Sequence, residues 1–159
     1  MRPDTERGGS IGTVLLVEDN PDDVALTLRA FARAGITQRV VVMEDGVEAL
    51  EYLRGPSPRP LVVLLDLNMP RMDGHEVLRR IRADPRTRHL PVVVLTSSAE
   101  DEDVLRSYDA GANSYVRKPV SFLDFVEAAR SLGAYWLELN RPAPPGSPPS
   151  PAPGSGGAR

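Results

Sequence analysis

The chain has 159 residues, a net charge of −3 and no cysteine. This length suits one compact domain with tails, and the absence of cysteine excludes a disulfide scaffold, a thiol nucleophile and a cysteine-based zinc site. The acidic balance argues against a nucleic-acid partner, and no apolar run is long enough to span a membrane.

Both ends of the chain lack the apolar residues that a folded core requires. Residues 141–159 hold seven of the 16 prolines, and this composition predicts a disordered Pro/Gly/Ser-rich tail with polyproline character. Residues 1–10 lack the apolar stretch of a signal peptide, and their composition predicts a flexible N-terminus. The folded domain is therefore predicted over residues 11–140, and a cytoplasmic location is expected.

Strand-like and helix-like patterns alternate along this domain. Short, continuous apolar runs predict five buried strands, at residues 13–18, 39–44, 61–66, 91–97 and 114–118. Apolar residues at helical spacing predict five helices, at residues 22–34, 45–54, 72–84, 99–110 and 121–140. This alternation predicts an α/β fold, a doubly wound parallel sheet covered by helices on both faces.

Chemically capable side chains stand at the carboxyl ends of the predicted strands, where such sheets carry their sites. The first strand leads into Glu18 and Asp19, the third ends at Asp66, the fourth at Thr96 and the fifth at Lys118. Each residue alone has an ordinary structural explanation, as a helix cap, a strand residue or a surface charge. Together they predict one site at one edge of the sheet.

The chemistry of this set points to phosphoryl transfer. Three crowded carboxylates repel one another, and a hard dication with oxygen ligands, such as Mg²⁺, removes the conflict. Lys118 supplies a compact positive charge and Thr96 a hydroxyl donor, which phosphoryl transfer uses to position and stabilise charge. Asp66 is then the candidate nucleophile, because a carboxylate can carry a phosphoryl group as an acyl phosphate.

Four motifs in this order resemble the receiver domain of two-component response regulators. They are LVEDNPDD at residues 16–23, LDLNMPRMDG at 65–74, TSS at 96–98 and the Lys-Pro pair at 118–119. The resemblance covers residues 12–140. It implies the flavodoxin-like receiver fold, a three-layer sandwich with a five-stranded parallel sheet in the order 2-1-3-4-5.

The resemblance also implies a role for each site residue. Asp66 accepts a phosphoryl group from a kinase phosphohistidine, and Lys118 contacts Asp66 and then the phosphoryl group. Thr96 moves to bond a phosphoryl oxygen, and Tyr115 follows it inward as the switch aromatic. The resemblance implies Mg²⁺ as the cofactor and a cis peptide bond before Pro119. The implied metal ligands are Glu18, acting mainly through a water, Asp19, Asp66 and the backbone carbonyl of Asn68.

A narrower resemblance concerns the single-domain regulators that partner bacterial and cyanobacterial phytochromes. It rests on the NPDD, DLNMP and TSS motifs and on YWLELNRP at residues 135–142. It implies a cognate histidine kinase of phytochrome type and output through a protein surface, with no nucleic-acid or membrane partner. A homodimer is expected through the fourth helix, fifth strand and fifth helix, because Trp136 and its apolar neighbours extend past the expected end of the sheet.

Three other side-chain groups receive plainer predictions. The acidic run at residues 100–103 is expected to be a solvated first helical turn. His75 and His89 are expected at the surface.

Two alternative functions stay open on the residues alone. An unphosphorylated scaffold receiver would keep the fold without the chemistry, although the intact set of five site residues argues against it. A haloacid-dehalogenase-type phosphatase also uses a strand-end aspartate, Mg²⁺, a threonine and a lysine. That class normally has a second aspartate two residues after the nucleophile, where this chain has Asn68. The expected protein is therefore not an enzyme, apart from its own phosphorylation and dephosphorylation.

Overall fold

A computed structural model describes residues 12–144 of the chain. The expectations for residues 1–10 and for most of the tail, residues 145–159, lie outside this described part. Residues 141–144 form neither helix nor strand. No helix among the described residues is long and apolar enough to cross a membrane.

Five parallel strands form one sheet in the order β2-β1-β3-β4-β5, which confirms the predicted fold and strand order. The strands are β1 Thr13–Val17, β2 Arg39–Met43, β3 Val62–Leu65, β4 Val92–Thr96 and β5 Ser114–Arg117. Each is shorter than its predicted run by one or two residues at the ends.

Five helices connect and follow the strands, as predicted. They are α1 Pro21–Arg33, α2 Gly46–Arg54, α3 Gly74–Ala83, α4 Asp101–Ala110 and α5 Phe122–Leu132. A π-helical segment, Gly133–Leu139, continues α5. Polar side chains hold the starts of four helices: Asn20, Asp45, Asp73 and Ser121 each accept a hydrogen bond from a backbone N–H of the first turn.

The two faces of the sheet bury separate apolar clusters, which makes the molecule a three-layer sandwich. On one face, Leu15 and Leu65 pack with Leu78 and Ile81 of α3. On the other face, Leu16 and Leu64 form one cluster with Phe31 of α1 and Ala129 of α5. Every residue of β3 and β4 is buried, which explains why the central strands read as unbroken apolar runs.

The end of the fifth helix differs from its prediction. Trp136 and Leu137 do not extend past the sheet but pack, partly buried, against the cluster on the α1–α5 face. The π-helical turns direct them there, and Asn140 N–H donates to the carbonyl of Tyr135 at 2.6 Å, five residues back. Gly133 lies in close contact with Ile36, since a Cβ at Gly133 would stand 3.2 Å from Ile36 Cγ1.

The peptide bond before Pro119 also corrects an expectation. All peptide bonds of the described residues are trans, including the bond from Lys118 to Pro119. Trans is the lower-energy isomer of an X–Pro bond by about 0.5–1 kcal/mol. In this isomer Lys118 N–H donates to the carbonyl of Thr96 at 2.7 Å, which continues the pairing of β5 with β4.

Candidate functional site

The sheet brings the predicted carboxylates to one edge through the pairing of β1 with β3. Val17 and Leu65 are partners at the carboxyl ends of these strands. Asp66 N–H donates to the carbonyl of Val17 at 3.0 Å, and Glu18 N–H donates to Met43 of β2 at the same distance. The backbones of Glu18 and Asp66 are therefore fixed by neighbouring strands.

Three carboxylates meet at this edge. One oxygen from each of Glu18, Asp19 and Asp66 lies within 4.8 Å of the others. Glu18 is 2% exposed and Asp66 7% exposed, whereas Asp19 is half-buried. Two nearly buried carboxylates at this separation require a compensating positive charge.

Lys118 supplies one such charge, although not to the expected partner. Its Nζ donates to Glu18 Oε1 at 2.5 Å and to Asp23 Oδ2 at 3.1 Å, and its side chain is only 10% exposed. The resemblance implies a contact with Asp66, but the hydrogen bonds of Lys118 go to Glu18 and Asp23. Asp23 falls in the first turn of the predicted first helix, and nothing in its local spacing identifies it as a lysine partner.

The electrostatics of the site follow from burial. Burial raises the pKa of Glu18 to about 7; the hydrogen bond from Lys118 lowers it in part, and the charge of Asp66 raises it further. For Lys118, burial works against the charged form, but the hydrogen bond to Glu18 and the charge of Asp66 outweigh it. The pKa of Lys118 is therefore raised above its usual value.

The donor set fits a divalent cation. Three carboxylates face a single lysine, so ionisation of all three leaves an excess of negative charge in a largely buried site. Oxygen ligands at this spacing suit a hard dication that keeps some of its waters. Asn68, whose carbonyl the resemblance adds to the ligand set, is an exposed residue of the loop after β3.

The loop that carries Asp66 is held against the start of α3 by a close backbone approach. Gly74 N–H donates to the carbonyl of Leu67 at 3.0 Å. A Cβ on Gly74 would stand 2.5 Å from the carbonyl oxygen of Asp66, a distance that real side chains do not tolerate. Glycine is therefore required here, which explains the last letter of the LDLNMPRMDG motif.

The fourth strand leads into a hydrogen-bonded turn. Thr96 is fully buried, and its Oγ1 lies 3.5 Å from the N–H of Ser98. The Tyr115 hydroxyl donates to the Ser98 carbonyl at 2.9 Å, so the predicted switch aromatic already contacts the turn that follows Thr96. Burial also raises the pKa of Tyr115.

The same turn is tied to α4 by a residue that the sequence assigned to solvent. The Ser98 hydroxyl donates to Asp103 Oδ2 at 2.6 Å and accepts from Glu100 N–H at 3.3 Å. Asp103 is therefore not simply a solvated residue of the acidic run, unlike the exposed Asp101 and Glu102. The serine-to-acid spacing, i to i+5 across a helix start, is the signal that could have indicated this contact.

His75 was expected at the surface, and that expectation was wrong. It is 4% exposed, and its Nε2 lies 3.1 Å from the hydroxyl of Ser107 on α4. Its position at the start of α3 places it between two packed helices, which the sequence pattern of α3 alone does not show. His89 is exposed, as expected.

Comparison with known proteins agrees with this geometry. The family model of the response regulator receiver domain matches residues 14–130. A probable methanogenesis regulatory protein, FilR2, of Methanothrix harundinacea (strain 6Ac) is 47% identical over 132 residues, 80% of this chain and 85% of that protein. Response regulator Rcp1 of Synechocystis sp. is 36% identical over 130 residues, 79% of this chain and 88% of Rcp1.

Solved structures give the same result. The response regulator RPA3017, in red light signalling of R. palustris, has a TM-score of 0.79 and 37% identity, covering 84% of this chain and 99% of that chain. The Mn²⁺-bound form of Rcp1 has a TM-score of 0.75 and 35% identity, over 84% of this chain and 99% of that chain.

Proposed function

The chain belongs to the response regulator receiver family, and from that premise we propose that Asp66 accepts a phosphoryl group from a phosphohistidine of its cognate histidine kinase. The observation that carries the proposal is the meeting of Glu18, Asp19 and Asp66 within 4.8 Å, beside a largely buried lysine. Asp66 follows a central strand and is nearly buried, whereas Asp19 is only half-buried. Glu18 is buried too, but it accepts a hydrogen bond from Lys118 and Asp66 does not.

The proposed reaction is a transfer between two side chains. A carboxylate oxygen of Asp66 attacks the phosphorus, and the phosphorus–nitrogen bond of the donor breaks with its electron pair going to the imidazole nitrogen. Lys118 holds positive charge beside the reacting oxygens, and Thr96 offers a hydroxyl to a phosphoryl oxygen. Tyr115, hydrogen-bonded to Ser98, follows the movement of this turn.

We propose Mg²⁺ as the metal, which Asp19, Asp66 and the carbonyl of Asn68 would hold directly and Glu18 mainly through a water. When bound, the cation would offset the negative charge that gathers around the phosphoryl group. The oxygen-only donor set supports this assignment, and a relative of similar structure binds Mn²⁺, a cation of the same preference.

We propose a kinase of phytochrome type as the phosphoryl donor. Support comes from structures of similar fold and sequence, among them RPA3017 and two bacteriophytochrome response regulators that are 44% and 47% identical to this chain. The relative FilR2, which is 47% identical to this chain, is named for methanogenesis. A direct transfer assay with a purified bacteriophytochrome kinase therefore tests this part by itself.

The output we propose is a changed protein surface, without turnover of an external substrate, in the cytoplasm. The face of α4, β5 and α5 carries exposed apolar side chains, including Leu105 at 65% and Tyr135 at 48% exposure. A groove of about 420 Å³ lies between β5 and α5 on this face and is lined by Val116, Leu132 and Tyr135. A second copy of the chain is the partner that we propose for this face.

The experiment that tests phosphorylation is incubation of the protein with acetyl phosphate and Mg²⁺, followed by intact mass. We expect one alkali-labile phosphoryl adduct in the natural chain and none in Asp66→Asn. Asp22→Asn is the matched control, because Asp22 is an exposed carboxylate of the same edge whose side chain is outside the cluster. Absence of an adduct with every phosphodonor would favour a scaffold, and turnover of a free phosphomonoester would favour a phosphatase.

A further inference from the structure

Arg71, in the loop between β3 and α3 (residues 66–73, the Asp66 loop), has a backbone conformation that residues with a side chain rarely adopt. Its φ is +67°, and in the part of the chain that the structure describes every other residue with a positive φ is glycine. Met72 N–H donates to the carbonyl of Pro70 at 2.7 Å, which closes a three-residue turn around Arg71. A turn of this kind with a positive φ at its centre is strained, and such strain persists only where the surroundings hold the residue in place.

The side chain of Arg71 reaches a carboxylate outside its own loop. Its guanidinium donates to Oδ2 of Asp45, the residue before α2, and the side chain of Asp45 is only 13% exposed. The other oxygen of the same carboxylate, Oδ1, accepts from Glu48 N–H at 2.9 Å and so caps α2. Asp45 is therefore fixed by a helix start, and Arg71 connects the Asp66 loop to this fixed point.

Backbone contacts hold the same loop at two places. A Cβ on Gly46, at the start of α2, would stand 3.3 Å from both the Cβ and the carbonyl oxygen of Met72. Near the other end of the loop, Gly74 N–H donates to the carbonyl of Leu67. Asn68 lies between these two attachments and is itself exposed.

We propose that Arg71 is a positioning residue for the cation site: through Asp45 it holds the Asp66 loop in one conformation for binding of Mg²⁺ by the carbonyl of Asn68. The inference rests on the proposed function, because it takes Asn68 as a ligand. A backbone carbonyl has no rotamers of its own, so its place depends on the conformation of its loop. Mg²⁺ demands near-ideal geometry of its ligands, and a loop already held in place loses less entropy on binding.

Two variants break the ion pair and keep both the cap and the turn. Asp45→Asn keeps an oxygen for Glu48 N–H, because asparagine caps helices about as well as aspartate. Arg71→Ala keeps a β-carbon at the strained position, so the backbone cost of the turn remains. In NMR titrations of the unphosphorylated full chain, we expect the Kd for Mg²⁺ to rise about tenfold in each variant, as the loss of a contact that orients a metal ligand does.

The matched control is Asp73→Asn, which removes one negative charge from the same loop. It keeps the cap on α3, where Asp73 accepts from Glu76 N–H at 3.0 Å, and it leaves the ion pair of Arg71 with Asp45 intact. Its Kd should stay near that of the natural chain. The variant that combines Arg71→Ala with Asp45→Asn should bind Mg²⁺ as weakly as either single variant and no more weakly. Effects that multiply in the double variant would overturn the proposal.

Measurements without metal separate positioning from general destabilisation. The heteronuclear NOE values of the Asn68 and Met69 amides should fall in both single variants, while the free energy of unfolding in urea stays close to that of the natural chain. Unchanged NOE values, or a Kd equal to that of the natural chain, would overturn this inference and leave the proposed function standing. A natural chain that does not bind Mg²⁺ would overturn both.

Discussion

Lys118 is the only lysine among the 19 lysine and arginine residues, and it lies within the carboxylate cluster. Its ammonium bonds two carboxylates, of Glu18 and Asp23, in a space that leaves it 10% exposed. A planar guanidinium does not place its charge at the same point. In a chain whose other basic residues are all arginine, position 118 is therefore one where arginine is a poor substitute for lysine.

Lys118→Arg should lower the rate of phosphorylation by acetyl phosphate by about tenfold or more, which corresponds to a loss of about 1.4 kcal/mol. Time courses of intact mass measure this rate. The control is Arg117→Lys, the reverse exchange at the exposed neighbouring residue, which should leave the rate unchanged. Equal rates in Lys118→Arg and the natural chain would show that the ammonium does not act on the phosphoryl group.

Glu18 gives the molecule a pH dependence of stability. Its pKa of about 7 lies above the usual value of 4.5, so the folded protein binds more protons than the unfolded chain between these pH values. The free energy of unfolding should therefore fall through this group as the pH rises from about 4.5 to 7, by a few kcal/mol at most.

Urea denaturation at pH 5 and pH 8 without divalent cations measures this effect. The loss of stability between these pH values should be smaller in Glu18→Gln, which cannot ionise. Added Mg²⁺ should recover stability more at pH 8 than at pH 5, because the ligands must be deprotonated. An equal pH dependence in both proteins would show that Glu18 does not titrate in this range.

At the scale of elements, the start of α4 depends on Ser98. Its hydroxyl accepts a hydrogen bond from Glu100 N–H and donates one to the carboxylate of Asp103. Glu100, the residue that precedes the first turn of α4, makes no side-chain capping hydrogen bond itself. Because the carbonyl of Ser98 also accepts from Tyr115, the turn connects β5 to α4. This turn is the element through which a movement of Thr96 would reach the surface.

Ser98→Ala should destabilise the protein by about 1 kcal/mol, as the loss of a helix cap does, and speed amide exchange in the first turn of α4. Ser97→Ala at the exposed neighbouring position is the control. Exchange rates in α4 that are equal in the two variants would contradict a capping role for Ser98.

The elements also show how far the sequence predicts this structure. The five strands and the carboxylate site were predictable, because buried parallel strands read as continuous apolar runs and bring their ends to one edge. The contacts of Lys118 with Asp23 and of His75 with Ser107 were not. They depend on the distances between separate helices and loops, which no local pattern contains.

The end of α5 shows the same limit. Apolar spacing correctly extended the helix to the region of residue 139, but it does not reveal the π-helical turns. Those turns direct Trp136 toward the sheet and leave Tyr135 48% exposed. Of the apolar residues expected at an interface, Trp136 thus belongs to the core and Tyr135 to the surface.

At the scale of the whole molecule, this division predicts separate effects for two neighbouring residues. Trp136→Ala should lower the free energy of unfolding by about 2–3 kcal/mol through lost packing. Tyr135→Ala should leave stability nearly unchanged but weaken the proposed dimer. Light scattering at several concentrations, with and without phosphorylation, measures the mass. A monomer under all conditions would contradict the dimer.

The central claim is that the phosphoryl group resides on Asp66, and reductive trapping tests it most directly. Borohydride reduces an aspartyl phosphate to homoserine, and the peptide between the trypsin sites at Arg54 and Arg71 contains Asp66 as its single acidic side chain. After treatment with acetyl phosphate and Mg²⁺, mass spectrometry should find homoserine at position 66 and in no peptide that carries Glu18 or Asp19. Homoserine at another position, or an unmodified residue 66 in a protein that carries the adduct, would contradict the claim.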